Sequence, residues 1–130
     1  CGTAFFTADE SLASENAKSI AINGSGDDTE RSSVFDLARG LDWPSEWNIR
    51  TMSNSFTRQW RDNLAGLTDN LDHEQARFEA ARAADDTDIS AVIVGEVADL
   101  VRRRESARET LDRIVSQAEQ RLTALAAMVS

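Results

Sequence analysis

A chain of 130 residues, 41% hydrophobic and 28% charged, has room for one small core, either a whole domain or part of one. Its 14 Lys+Arg against 23 Asp+Glu give a formal net charge of −9, which excludes the basic surface that nucleic-acid phosphates or an anionic membrane demand. Lys18 is the sole lysine and Cys1 the sole cysteine, so no intramolecular disulfide can form, and a cytoplasmic setting is expected. No apolar run approaches the ~20 residues of a membrane span; residues 91–94 come nearest and are broken by Gly95 and Glu96.

In chain order, Cys1 to Phe6 is short, apolar and β-prone, and reads as the tail of a strand. A Cys followed by a small residue also begins a mature bacterial lipoprotein, but such chains continue as a polar tether, whereas this one runs into Ala4-Phe5-Phe6. The expectation is therefore a start inside a folded protein. A lone strand cannot satisfy its backbone groups, so the rest of its sheet is expected upstream. Thr7-Ala8-Asp9-Glu10 fits a capping box opening a helix over about 9–22, with Leu12, Ala13, Ala17, Ile20 and Ala21 on its buried face. Asn23-Gly24-Ser25-Gly26 ends it.

Val34-Phe35-Asp36-Leu37 fits a strand or a helical turn. Leu41-Asp42-Trp43-Pro44 must be irregular, because proline restricts its predecessor and lacks an N–H. A helix over about 54–64 carries Phe56, Trp60 and Leu64 at four-residue spacing, and another over about 69–84 carries Leu71, Phe78 and Ala81. Asp85-Asp86-Thr87-Asp88 punctuates it, Ile89 to Val94 is apolar, and Gly95 turns the chain into a short helix through Val97, Leu100 and Val101. Ser106-Ala107-Arg108-Glu109 is a second capping box, opening a last helix that should bury Leu111, Ile114, Val115, Ala118, Leu122, Leu125 and Val129.

Several stretches together resemble the nitronate monooxygenases, formerly 2-nitropropane dioxygenases. Gly2-Thr3-Ala4-Phe5-Phe6-Thr7-Ala8-Asp9-Glu10-Ser11 is similar to the segment after that family's last barrel strand. Val34-Phe35-Asp36-Leu37-Ala38-Arg39-Gly40 with Trp43-Pro44 resembles its next block, and Arg50, Asn54, Phe56 and Trp60 fit the spacing beyond it. Gly95-Glu96 with Asp99-Leu100 is similar to a Gly-Gln or Gly-Glu turn near the family's C-terminus.

The resemblance implies an α+β chain, mainly α with minor β: the end of a flavin-binding (β/α)8 barrel over 1–23 and an appended helical domain over 24–130. It implies FMN as cofactor, a nitronate-type substrate with O2, and an upstream N-terminal barrel portion, missing from these residues, that supplies the catalytic base. Gly2 and Thr3 would then meet the FMN phosphate. A phosphate needs several donors aimed at one point; glycine lets the backbone approach, and the threonine hydroxyl adds a donor.

Gly95 and Glu96 present either a polar group to a cavity or a carboxylate to a helix N-terminus. No catalytic residue is expected within the chain itself. His73, between Asp72 and Glu74 on a polar helix, reads as a solvated residue away from the family's base.

Bland readings prevail elsewhere. Gly24-Ser25-Gly26 lacks the lysine of a phosphate loop, and Asp27-Asp28 would repel an anion. The run 85–88 lacks the glycine and distal glutamate of a calcium loop, so no metal site is expected. Trp60 reads as core; Trp43 and Trp47 could be core or line a substrate cavity. Arg39 and Arg50 fit ion pairing with acidic neighbours better than flavin phosphate. The competing class is a stand-alone acidic helical module for protein interaction, without catalysis.

Overall fold

The computed structural model describes residues 1–44 and 46–129, the side chain of Val129 excepted, so the expectation for that side chain lies outside the described residues. The chain is mainly helical with one small sheet. Its helices are α1 (Gly2–Phe6), α2 (Glu15–Asn23), α3 (Val34–Ala38), α4 (Ser55–Trp60), α5 (Leu64–Asp69), α6 (Leu71–Ala83) and α7 (Ala107–Val129). Strands β1 (Thr29–Arg31) and β2 (Arg50–Met52) pair antiparallel, with Glu30 opposite Thr51. An isolated bridge from Thr51 to Ile93 lays the apolar run beside β2.

The start of the chain departs from expectation: residues 2–6 are a helical turn and not a strand tail. The Phe5 and Thr7 amides donate to the Cys1 and Thr3 carbonyls at 3.2 and 3.1 Å. β-Propensity is a weak preference that local helical hydrogen bonds and packing override. Thr7 and Glu10 do not form a capping box either. The Thr7 hydroxyl donates to the Ala4 carbonyl, and the Glu10 carboxylate accepts the Ala107 amide at the start of α7. The next helix begins instead after Ser14, whose hydroxyl accepts the Ala17 amide. Leu12 therefore precedes that helix and is fully exposed, while Ala21 is buried.

Two apolar clusters hold the fold. Phe35, Phe56 and Phe78 form the larger with Val34, Ala38 and Leu67. The Phe35 and Phe56 rings stack with centroids 5.6 Å apart, and the Phe78 ring tilts against Phe35 at 5.8 Å. Residues 34–38 thus take the helical alternative, which puts Val34, Phe35 and Ala38 on one buried face. Trp60 is half-buried against this cluster, and its indole N–H donates to Glu74. The smaller cluster joins Ala21, Met52, Val92 and Val94, with Phe6 packed on it.

Asn54 ties the two clusters together. Its side-chain oxygen accepts the Thr57 amide at the start of α4, while its amide nitrogen donates to the Thr87 and Ser90 carbonyls, both at 3.0 Å. That clamp sets residues 88–94 alongside β2, where the Met52 amide donates to the Val92 carbonyl at 2.9 Å. Gly95 is delivered from there to the N-terminal helix.

The last helix forms as expected and is capped as expected. The Ser106 hydroxyl accepts the Glu109 amide, and Glu109 accepts the Ser106 amide. Its burial does not follow. Thr110 is buried and Ile114 half-buried, but every residue of 115–128 is exposed. Leu111, Val115, Leu122 and Leu125 are 47–67% exposed where burial was expected. Nothing else among the described residues lies where their stripe points. No helix among the described residues is long and apolar enough to cross a membrane.

Candidate functional site

The expected cofactor-binding pair and the possible cavity-lining pair meet in space. Gly95 donates its amide N–H to the Thr3 hydroxyl oxygen at 2.8 Å, across 92 positions of sequence. Accepting that bond leaves the Thr3 O–H free to donate outward, because a hydroxyl carries one proton and two lone pairs. Thr3 and Gly95 are half-buried; Gly2 and Glu96 are exposed. Gly2, Thr3 and Gly95 line a groove of about 650 Å³ whose walls include Phe6, Val94, Val97 and Ile114.

Two cations border this groove. Arg50 projects from β2, held at 3.0 Å by the Thr29 hydroxyl and at 3.4 Å by the Glu96 carboxylate. Arg113 reaches in from α7, with its guanidinium on Glu105 at 2.9 Å. Hydrogen bonds from Arg113, and then from Arg103, hold the Glu105 carboxyl below its ordinary range. Glu96 lies outside the groove lining and acts through Arg50. Arg50 was expected to pair with an acid, and it does; that it also lines the groove was not legible from spacing. Arg113 was missed, because its place there depends on how α7 meets α1.

Glycine has a different meaning at each nearby position. A Cβ at Gly26 would sit 2.2 Å from the Glu96 carbonyl oxygen, so its absence lets the loop after α2 press against the Gly95-Glu96 turn. The Gly26 amide also donates to Asp99 at 2.6 Å. That bond, with Arg102 beside it, keeps the Asp99 carboxyl below its ordinary value. At Gly2, by contrast, a Cβ would meet nothing within 4 Å. The packing of this chain therefore gives no steric reason for a glycine at position 2.

Other expected features resolve simply. The His73 side chain is largely exposed, its Nδ1 3.0 Å from the Glu74 carboxylate and remote from the groove lining. Among the described residues no group of three or more His, Cys, Asp or Glu could hold a metal ion. Asp85 closes α6 with φ of 55° and accepts the Ser14 hydroxyl. Trp43 and Trp47 are exposed, and line a second cavity. Compared with protein-family models and with curated proteins, the chain matches none.

Proposed function

We propose that this chain is the C-terminal part of an FMN-dependent, nitronate monooxygenase-like oxidoreductase, and that Gly2 and Thr3 contribute to the cofactor's phosphate site. The observation that carries this reading is the Gly95-to-Thr3 hydrogen bond, which joins the two segments chosen on resemblance at one groove. The residues there suit a phosphate. Thr3 retains a donor, Gly2 offers an open backbone approach, and Arg50 brings a guanidinium on the groove's edge. The apolar wall from Val94 to Ile114 suits the planar remainder of such a molecule.

Within this reading the chain positions the flavin and takes no proton from substrate. When bound, FMN supplies the electron transfer from a nitronate to O2. The catalytic base belongs to the barrel portion upstream, and the parent enzyme is cytoplasmic. Because residues 2–6 are helical, the contribution to the barrel is a helical lead-in to the appended domain.

One observation favours the alternative, an acidic helical interaction module: the exposed apolar stripe of α7. The flavin reading accounts for that stripe as well, through the barrel it lacks, and adds the Thr3–Gly95 contact. The test is expression together with the coding sequence upstream of Cys1. The product should carry stoichiometric FMN and consume O2 with an alkyl nitronate. A product without flavin, or an upstream frame with no strand–helix repeats, would sink the proposal.

A further inference from the structure

The second cavity, of about 430 Å³, is lined by Trp43 and Trp47 together with Arg31 and Arg39. Its indoles are 58% and 62% exposed. Exposure of this size is costly for tryptophan, the side chain with the most apolar area to lose from water. The Trp47 amide donates to the Pro44 carbonyl at 2.9 Å, a tight turn that keeps the two indoles in one loop.

The arginines add the charge; like Arg58 and Arg121, they are exposed and form no ion pair among the described residues. Most arginines in this acidic chain are ion-paired: Arg50, Arg61, Arg77, Arg82 and Arg102 to Arg104 each hold a carboxylate. Arg31 and Arg39 hold none among the described residues, although carboxylates are the commonest charged groups in the chain. Asp36 also lines the cavity, but it is buried and one of its oxygens accepts the Ile49 amide at 3.1 Å. The arginines are exposed and the aspartate is buried, so an anionic head seats on the arginines and not on Asp36.

We propose that this cavity binds a small organic anion, a planar ring carrying a carboxylate or a phosphate. A guanidinium fork matches both head groups, and an exposed indole face stacks on a ring. A volume of about 430 Å³ falls within the roughly 300–1,000 Å³ of small-molecule sites. Ile49 and Ile93 line this cavity and the Thr3 groove alike, so an occupant sits against the back of that groove's wall. The proposal does not depend on the flavin reading.

Calorimetric titration of the chain with adenosine monophosphate, adenosine, indole-3-acetate, indole-3-acetamide and inorganic phosphate tests it. Each ringed anion should bind at least about tenfold tighter than its neutral counterpart, and the margin should shrink at high salt. The larger margin of an anion over its own neutral counterpart identifies the head group as phosphate or carboxylate. Arg31→Gln and Arg39→Gln should each erase most of the margin. Trp47→Leu should weaken the ringed anions and leave inorganic phosphate unchanged. All three targeted side chains are exposed, so the fold, followed by circular dichroism, should persist. Equal affinity for charged and neutral rings, or arginine variants that bind as the parent does, would overturn the assignment. So would the absence of saturable binding up to about 10 mM.

Discussion

The phenylalanine cluster and the last helix make an instructive pair. Helix α6 has an unremarkable sequence pattern, yet it buries Phe78, Ala81 and Glu74 against α3 and α4. Helix α7 has the clearest apolar stripe in the chain, at residues 111, 115, 118, 122 and 125, yet beyond Ile114 it buries nothing. A stripe marks the face a helix would bury; it does not specify that the same stretch of chain covers it. The cluster is complete within these residues, whereas the stripe of α7 beyond Ile114 stays exposed.

The comparison can be sharpened first at its strong end. Phe56→Ala removes a fully buried ring stacked on Phe35, with the Arg77 guanidinium 5.6 Å from its centroid. Chemical denaturation should show a loss of about 3–5 kcal/mol, enough to unfold much of a small domain.

Glu74→Gln comes next. Burial pushes this carboxyl up, but hydrogen bonds from His73, Arg77 and Trp60 outweigh it and hold the group below its ordinary 4.5. A carboxyl lowered on folding stabilises above the unfolded value and loses that contribution as pH falls through the folded one. The variant should therefore cost about 1.5–3 kcal/mol near neutrality, and the gap to the parent should narrow below about pH 4. An unfolding series over pH reads this directly; a constant gap would contradict it.

Gly26→Ala forces the loop away from the Glu96 carbonyl and should cost about 1–3 kcal/mol, measured as a lowered unfolding midpoint.

At the weak end, Leu122→Ala on the exposed stripe should change the stability of this chain by no more than about 0.5 kcal/mol. In the proposed longer protein the same substitution should cost about 2–5 kcal/mol, because the barrel portion would cover it. A small effect in both settings would leave the stripe without a partner.

What the sequence made legible was local. The Ser106–Glu109 box, the stop at Gly24 to Gly26, the irregular stretch before Pro44 and the extent of α7 all follow from neighbours within a few residues. Most of the failures were long-range. Glu10 is a cap residue, but for a helix starting 97 positions later. The hexapeptide 1–6 is apolar enough for a strand and is made helical by local bonds and its packing against the smaller cluster. Glu74 gave no sign that it would be a buried acceptor for three donors, since those donors come from α4 as well as its own helix. In the candidate site, Thr3 and Gly95 could be picked out singly by resemblance. Their meeting depends on the Asn54 clamp, which no local pattern encodes.

The proposed phosphate contact is tested most directly by comparing FMN with riboflavin, which lacks the phosphate, in the longer protein. Thr3→Val removes the donor and also strips the Gly95 amide of its acceptor, so stability alone could shift affinity for both ligands. Only a phosphate contact separates them. Loss of one hydrogen bond to a charged group predicts FMN binding weakened about 10- to 150-fold with riboflavin nearly unchanged. Thr3→Ser should retain the parent's preference, and His73→Ala should alter neither affinity. Equal weakening of FMN and riboflavin by Thr3→Val, or no weakening of either, would contradict the assignment of this groove.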